Sequence, residues 1–157
     1  MSDWTTITDA IAVALGGEKE RGGKLLLDCW NTTKPTDHAY RCVLAHYLAD
    51  TQNELEQEVA WDEIALQEHA FLKDRDLAPL GIASARGLLP SLQLNLADGY
   101  HRQGKNDLAK DHVGQGLNAA EALNEDGYGR MILAGLNNLA QRIDTAGPDK
   151  RARTMQR

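Results

Sequence analysis

Aromatic side chains are scarce in this sequence, at 5%, and Ala and Leu outnumber Val, Ile and Thr, a balance that favours helix over sheet. Two cysteines are too few for a disulfide framework. No apolar run approaches the ~20 residues of a membrane span, and the opening MSDWTTITD is too polar and acidic for a secretory signal. No segment alternates apolar and polar residues long enough to read as a strand. Basic groups are also few. Against 23 acidic residues stand 17 basic ones, a net charge of -6, whereas a phosphate backbone asks for clustered Lys and Arg. The expectation is a cytoplasmic protein with no nucleic-acid or membrane partner. What remains is 42% apolar and 25% charged residues over 157 positions, enough for one packed domain.

The pattern along the chain is helical. Ser2 or Asp3 is placed to cap a first helix carrying Ile7, Ile11, Ala14 and Leu15, which Gly16-Gly17 ends. A second helix follows from about Glu18 to Trp30, with Gly22-Gly23 weakening its start. Pro35 marks a loop, after which Asp37 is expected to cap a third helix with Tyr40, Val43, Leu44, Tyr47 and Leu48 on its apolar side. Asn53 opens a fourth, ending near Leu72. Residues 73–89 are broken by Pro79, Gly81 and Gly87 and read either as one short helix or as an irregular excursion. Pro90 starts the next helix, Gly104 stops it, Asn106 caps its partner, and a last helix spans about residues 127–143. The basic tail 148–157, with Lys150, Arg151, Arg153 and Arg157 against Asp149, is expected to be flexible.

The helix pairs repeat. Leu96-Ala97, Tyr100, Ala109 and Val113, with Gly104 in the turn, follow the tetratricopeptide spacing, in which small residues let two helices approach and large ones fill the seam. Gln93, Val113 and Glu121 depart from the usual Trp, Phe and Pro. A second copy lies 52 residues earlier in Leu44-Ala45, Leu48 and Trp61, and a degenerate third in Ala10, Ile11, Ala14, Gly23 and Leu27. With the stretches CVLAHYLAD, ELEQEVAWDEIAL, PSLQLNLADGYHRQGKNDLAKDH and EDGYGRMI, the chain resembles short bacterial tetratricopeptide-repeat proteins. The resemblance implies an all-α, right-handed solenoid over residues 1–147, with a degenerate repeat at about 4–32, repeats at 37–72 and 90–124, and a capping helix. It further implies a concave groove lined by Cys42, His46 and Asp50 from one helix and Leu94, Asp98, His101 and Arg102 from another. Such grooves take peptides or extended protein segments.

Candidate chemistry is sparse. His38, Cys42 and His46 recur every four residues, but His38 and His46 are about 12 Å apart along a helix rising ~1.5 Å per residue, too far to share one zinc ion. No metal site and no cofactor is expected. Ser91 lacks a nucleophile elbow, a Cys42–His pair lacks an oxyanion hole, and Trp61-Asp62 reads as a seam aromatic beside a solvated acid, so no catalytic residue is assigned. The function expected is a non-catalytic interaction scaffold. The alternative is a helical sensor of a small ligand or metal. Self-association through Met131, Ile132 and Leu139 stays open as a third expectation.

Overall fold

The computed structural model describes residues 3–147 and Asp149. The described residues are helical, without a strand: α1 (Trp4–Leu15), α2 (Lys19–Asn31), α3 (His38–Asp50), α4 (Leu55–His69), α5 (Leu89–Arg102), α6 (Asn106–Ala119) and α7 (Gly127–Ala146). Short 3-10 turns occupy Ala78–Leu80, Ala85–Leu88 and Ala120–Ala122. Where the sequence pattern predicts one domain, the chain clusters into two compact units, 1–85 and 86–157. The division falls inside the interrupted stretch 73–89. The expected flexible tail lies outside the described residues except for Asp149, whose carboxylate accepts the Asp107 backbone N–H at 2.7 Å.

In the first unit α1 packs on α2, and α3 packs on α2, α4 and α1. Its core is Ile7, Leu26, Leu44, Leu48, Val59 and Leu77, all buried. Asp3, not Ser2, is the described cap of α1: its carboxylate accepts the Thr6 N–H at 2.8 Å. Gly22 is not a weak point in α2. A Cβ there would lie 2.4 Å from the Ala14 Cα, so the absent side chain is what lets α1 and α2 touch. Asp37 precedes α3 but makes no side-chain cap; its carboxylate accepts the Lys34 N–H instead. Residues 73–88 form no α-helix, yet Leu77 and Ala85 anchor this stretch in the core.

The second unit holds α5 against α6 and α7 against both. Ala97 and Ala109 are fully buried beside Leu96, Tyr100 and Val113, as the repeat spacing predicts for a close helix pair. Gly104 closes α5 at φ 77, a left-handed conformation that needs no Cβ. Asn106 is the first residue of α6 and not its cap; its side chain meets the His101 ring at 2.9 Å and donates to the Gly147 carbonyl. Ile132 and Leu139, expected on an exposed face, are buried, leaving Tyr128, Met131 and Leu133 exposed on α7.

Two glycines make opposite predictions. Gly22→Ala pushes a methyl into backbone and is expected to destabilise by about 1–3 kcal/mol. Gly114→Ala, where a Cβ meets nothing within 4 Å on α6, is expected to stabilise by about 0.5–1 kcal/mol. Urea denaturation of both variants checks the pair.

Candidate functional site

The groove residues expected from the repeat pattern divide between the two units, and most are already engaged. Cys42 is 0% exposed, and burial, with a smaller push from the Glu68 carboxylate, raises its thiol to about 12. It is a core side chain, neither a groove contact nor a nucleophile. His46 is desolvated, which lowers it to about 4. Its Nδ1 has no hydrogen-bond partner, and its ring packs edgewise on Tyr47 at 4.9 Å. Asp50 is exposed at the end of α3. In the second unit Leu94 rests on Gly135, His101 is tied to Asn106, and Asp98 pairs with Arg102 at 2.9 Å and Arg142 at 4.0 Å. Asp62, expected to be solvated, is buried. Among the described residues no three His, Cys, Asp or Glu side chains gather as metal ligands.

A different site stands out in the first unit. Where the first turns of α1 and α3 meet the segment after α4, a cleft of about 360 Å³ opens, lined by Trp4, Tyr40, His38 and Phe71. That volume lies at the small end of the usual range for ligand sites. The rings are held in two pairs. Trp4 meets Tyr40 edge to face at 4.8 Å and 71°. His38 stacks on Phe71 at 4.2 Å and 11°, which covers one face of Phe71 and leaves the side chain 65% exposed.

Two turns of one design frame the cleft. Lys34 N–H donates to the Asp37 carboxylate at 2.7 Å while Asp37 N–H donates to the Lys34 carbonyl at 2.9 Å. Lys73 and Asp76 repeat this at 2.8 and 3.0 Å. Each is a Lys-x-x-Asp sequence in which a short acidic side chain closes its own turn. Asp37, Asp76 and Lys73 thereby reach the cleft wall.

Behind the rings lies Glu68, on the last turns of α4. One carboxylate oxygen sits 2.6 Å from His38 Nδ1 and the other 3.2 Å from Arg41 Nε, with Glu68 only 14% exposed. Beside an ionised carboxylate the Nδ1–H is the donor, so His38 is fixed in one orientation. Arg41 also donates to the Thr33 hydroxyl at 3.2 Å and lies over the Trp30 ring at 4.1 Å, and Trp30 meets Trp61 edge to face at 5.0 Å. The chain Phe71–His38–Glu68–Arg41–Trp30–Trp61 runs from the cleft to a half-buried tryptophan pair contributed by α2 and α4.

A carboxylate-bound histidine is a familiar general base. Around it the lining places the Thr36 hydroxyl, the Asp37 and Asp76 carboxylates, the Lys73 ammonium and the first turn of α3. Sequence reading singled out His38 as a metal candidate and Tyr40 as an apolar position, and missed Trp4, Glu68 and Phe71 as site residues. The signals available were the paired Lys-x-x-Asp turns and the lone Phe immediately beyond a helix end. No protein-family model matches the chain, and no curated protein or solved structure is significantly similar to it.

His46 supplies a test of the burial described above. Its folded value of about 4 lies below the ordinary 6.5, so the unfolded chain takes up the proton first as pH falls. Stability present above pH 6.5 is therefore lost progressively down to about pH 4, by about 3 kcal/mol for this one group. Urea denaturation at pH 7 and pH 4 is expected to show that difference shrink by roughly this amount in His46→Leu. An equal pH dependence in both proteins would mean a solvated imidazole.

Proposed function

We propose that the chain is a non-catalytic adaptor that binds an extended segment of a partner protein, and that the aromatic cleft of the first unit is where that segment docks. The observation that carries this is the partly uncovered cluster of Trp4, Tyr40 and Phe71 on a fixed frame. Aromatic residues that stay accessible in a pocket are the groups that dominate binding energy at protein interfaces, because they bury large area with little rotamer entropy to lose. The Glu68 bridge and the two Asp-closed turns hold the rings in place before any partner arrives, which lowers the ordering cost of association.

The repeat-like helix pairing supports the same class of function through its resemblance to peptide-binding scaffolds. The groove positions contribute less to the reading, since Cys42 is enclosed and Leu94 and His101 already have neighbours. Asp50, Asp98 and Arg102 are the groove residues left with substantial surface, and charges of that kind tune encounter and selectivity more than affinity.

An array of immobilised synthetic peptides of random sequence, probed with the labelled protein, tests the proposal. A reproducible subset of peptides is expected to bind wild type and to lose at least tenfold in signal with Phe71→Ser. The same variant is expected to melt like wild type, because Phe71 is 65% exposed. An identical peptide profile in the two proteins would remove the cleft from the binding surface.

A further inference from the structure

The chemistry of the cleft wall narrows what it holds. Trp4, Tyr40 and Phe71 line it beside His38, and the faces of the first three carry partial negative charge that attracts cations. Among the charged side chains of the lining, the carboxylates of Asp37 and Asp76 face the single ammonium of Lys73. One oxygen of each carboxylate is taken by a backbone N–H, which fixes its position without neutralising it. The first turns of α1 and α3 work in the other direction, as each helix N-terminus adds roughly half a positive charge. Asp3 and Asp37, at the residues preceding those turns, offset them. Glu68 does not enter the balance at the wall, because Arg41 already pairs with it. The remainder is a small excess of negative charge within a wall of aromatic rings. A bare metal ion or a small hydrated cation gains little from such a wall, since the rings cannot replace its water. A cation sheathed in methyl groups keeps its charge, sheds water readily and fills the space between rings.

Resting on the docking reading above, we propose that the cleft receives an alkylated ammonium group, carried on an N-methylated lysine side chain of the docking segment. The edge-to-face pair Trp4–Tyr40 and the uncovered face of Phe71 supply the cage. Asp37 and Asp76 supply the charge that distinguishes this group from a neutral one of the same shape. The head group on its own binds weakly, and the surrounding segment adds the rest of the affinity.

Choline and its neutral carbon isostere 3,3-dimethyl-1-butanol, titrated separately into the full chain, test the charge requirement. Aromatic proton shifts in the NMR spectrum are the readout, with inorganic phosphate as a third probe. Choline is expected to give saturable shifts at the rings of Trp4, Tyr40 and Phe71, with an affinity at least fivefold higher than that of the isostere. Asp76→Asn is expected to reduce that preference at least twofold, and Phe71→Ser to abolish the shifts. Equal affinity for choline and the isostere overturns the inference and leaves an apolar docking cleft. Phosphate binding in place of choline overturns it in favour of the α3 N-terminus as an anion site. No saturable shift with any probe overturns it as well. The peptide array, prepared with its lysines both unmodified and trimethylated, separates this failure from that of the docking reading: Phe71-dependent peptides alongside a failed choline titration sink the ammonium alone. Selective choline binding with no Phe71-dependent peptide sinks the docking segment and leaves a small-molecule site.

Discussion

The Glu68 carboxylate is the contact on which the first unit's aromatic cleft depends. It sits near the end of α4, 14% exposed, and divides its two oxygens between His38 and Arg41 of α3. A partly buried carboxylate with one partner would have paid much of its desolvation cost for little return; with two charge-assisted donors it is satisfied on both sides. Because His38 is held by its Nδ1, its ring is a fixed plane on which Phe71 lies flat. Because Arg41 is held by its Nε, its guanidinium is free to cover Trp30. One side chain thus positions a ring at the cleft and a guanidinium over the half-buried Trp30.

The antiparallel packing of α3 and α4 explains why the cleft forms at this end. It brings the start of α3 beside the end of α4, and the contact of α1 with α3 adds Trp4 next to Tyr40. The Lys-x-x-Asp turns lie just outside these helices and bond their own backbone on both sides of the cleft, so the acidic groups that close the turns also set the sign of the wall. Farther along α3 the character is opposite, since desolvation keeps Cys42 a thiol and His46 a neutral imidazole at neutral pH.

Much of the architecture was legible because it follows from backbone chemistry that a single residue announces. Gly16-Gly17, Pro90 and Gly104 mark helix boundaries that the structure keeps, and the small residues Ala97 and Ala109 mark a close helix pair. Gly22 misled for a physical reason: propensity counts its entropy cost, while its role is a contact with Ala14 that only tertiary structure reveals. Asp37 misled because a carboxylate before a helix has two backbone donors to choose from, and the Lys34 N–H wins. The candidate site was less legible than the fold. Trp4, His38 and Phe71 belong to three separated segments, and helical periodicity says nothing about which helix ends converge. The repeat register put Cys42 in a groove because it locates a face of α3, and that face at Cys42 is core.

Docking of a protein segment at the aromatic cleft and recognition of its ammonium group are proposed to occur at one place. Competition measures both at once. A fluorescent peptide containing trimethyllysine, bound to the full chain, is titrated with choline while its anisotropy is followed. The account predicts that choline displaces the peptide completely, that 3,3-dimethyl-1-butanol does so at least fivefold less effectively, and that Asp76→Asn narrows the gap. Peptide that stays bound while choline saturates the rings of Trp4 and Phe71 would contradict it, since segment and ammonium would then occupy different places.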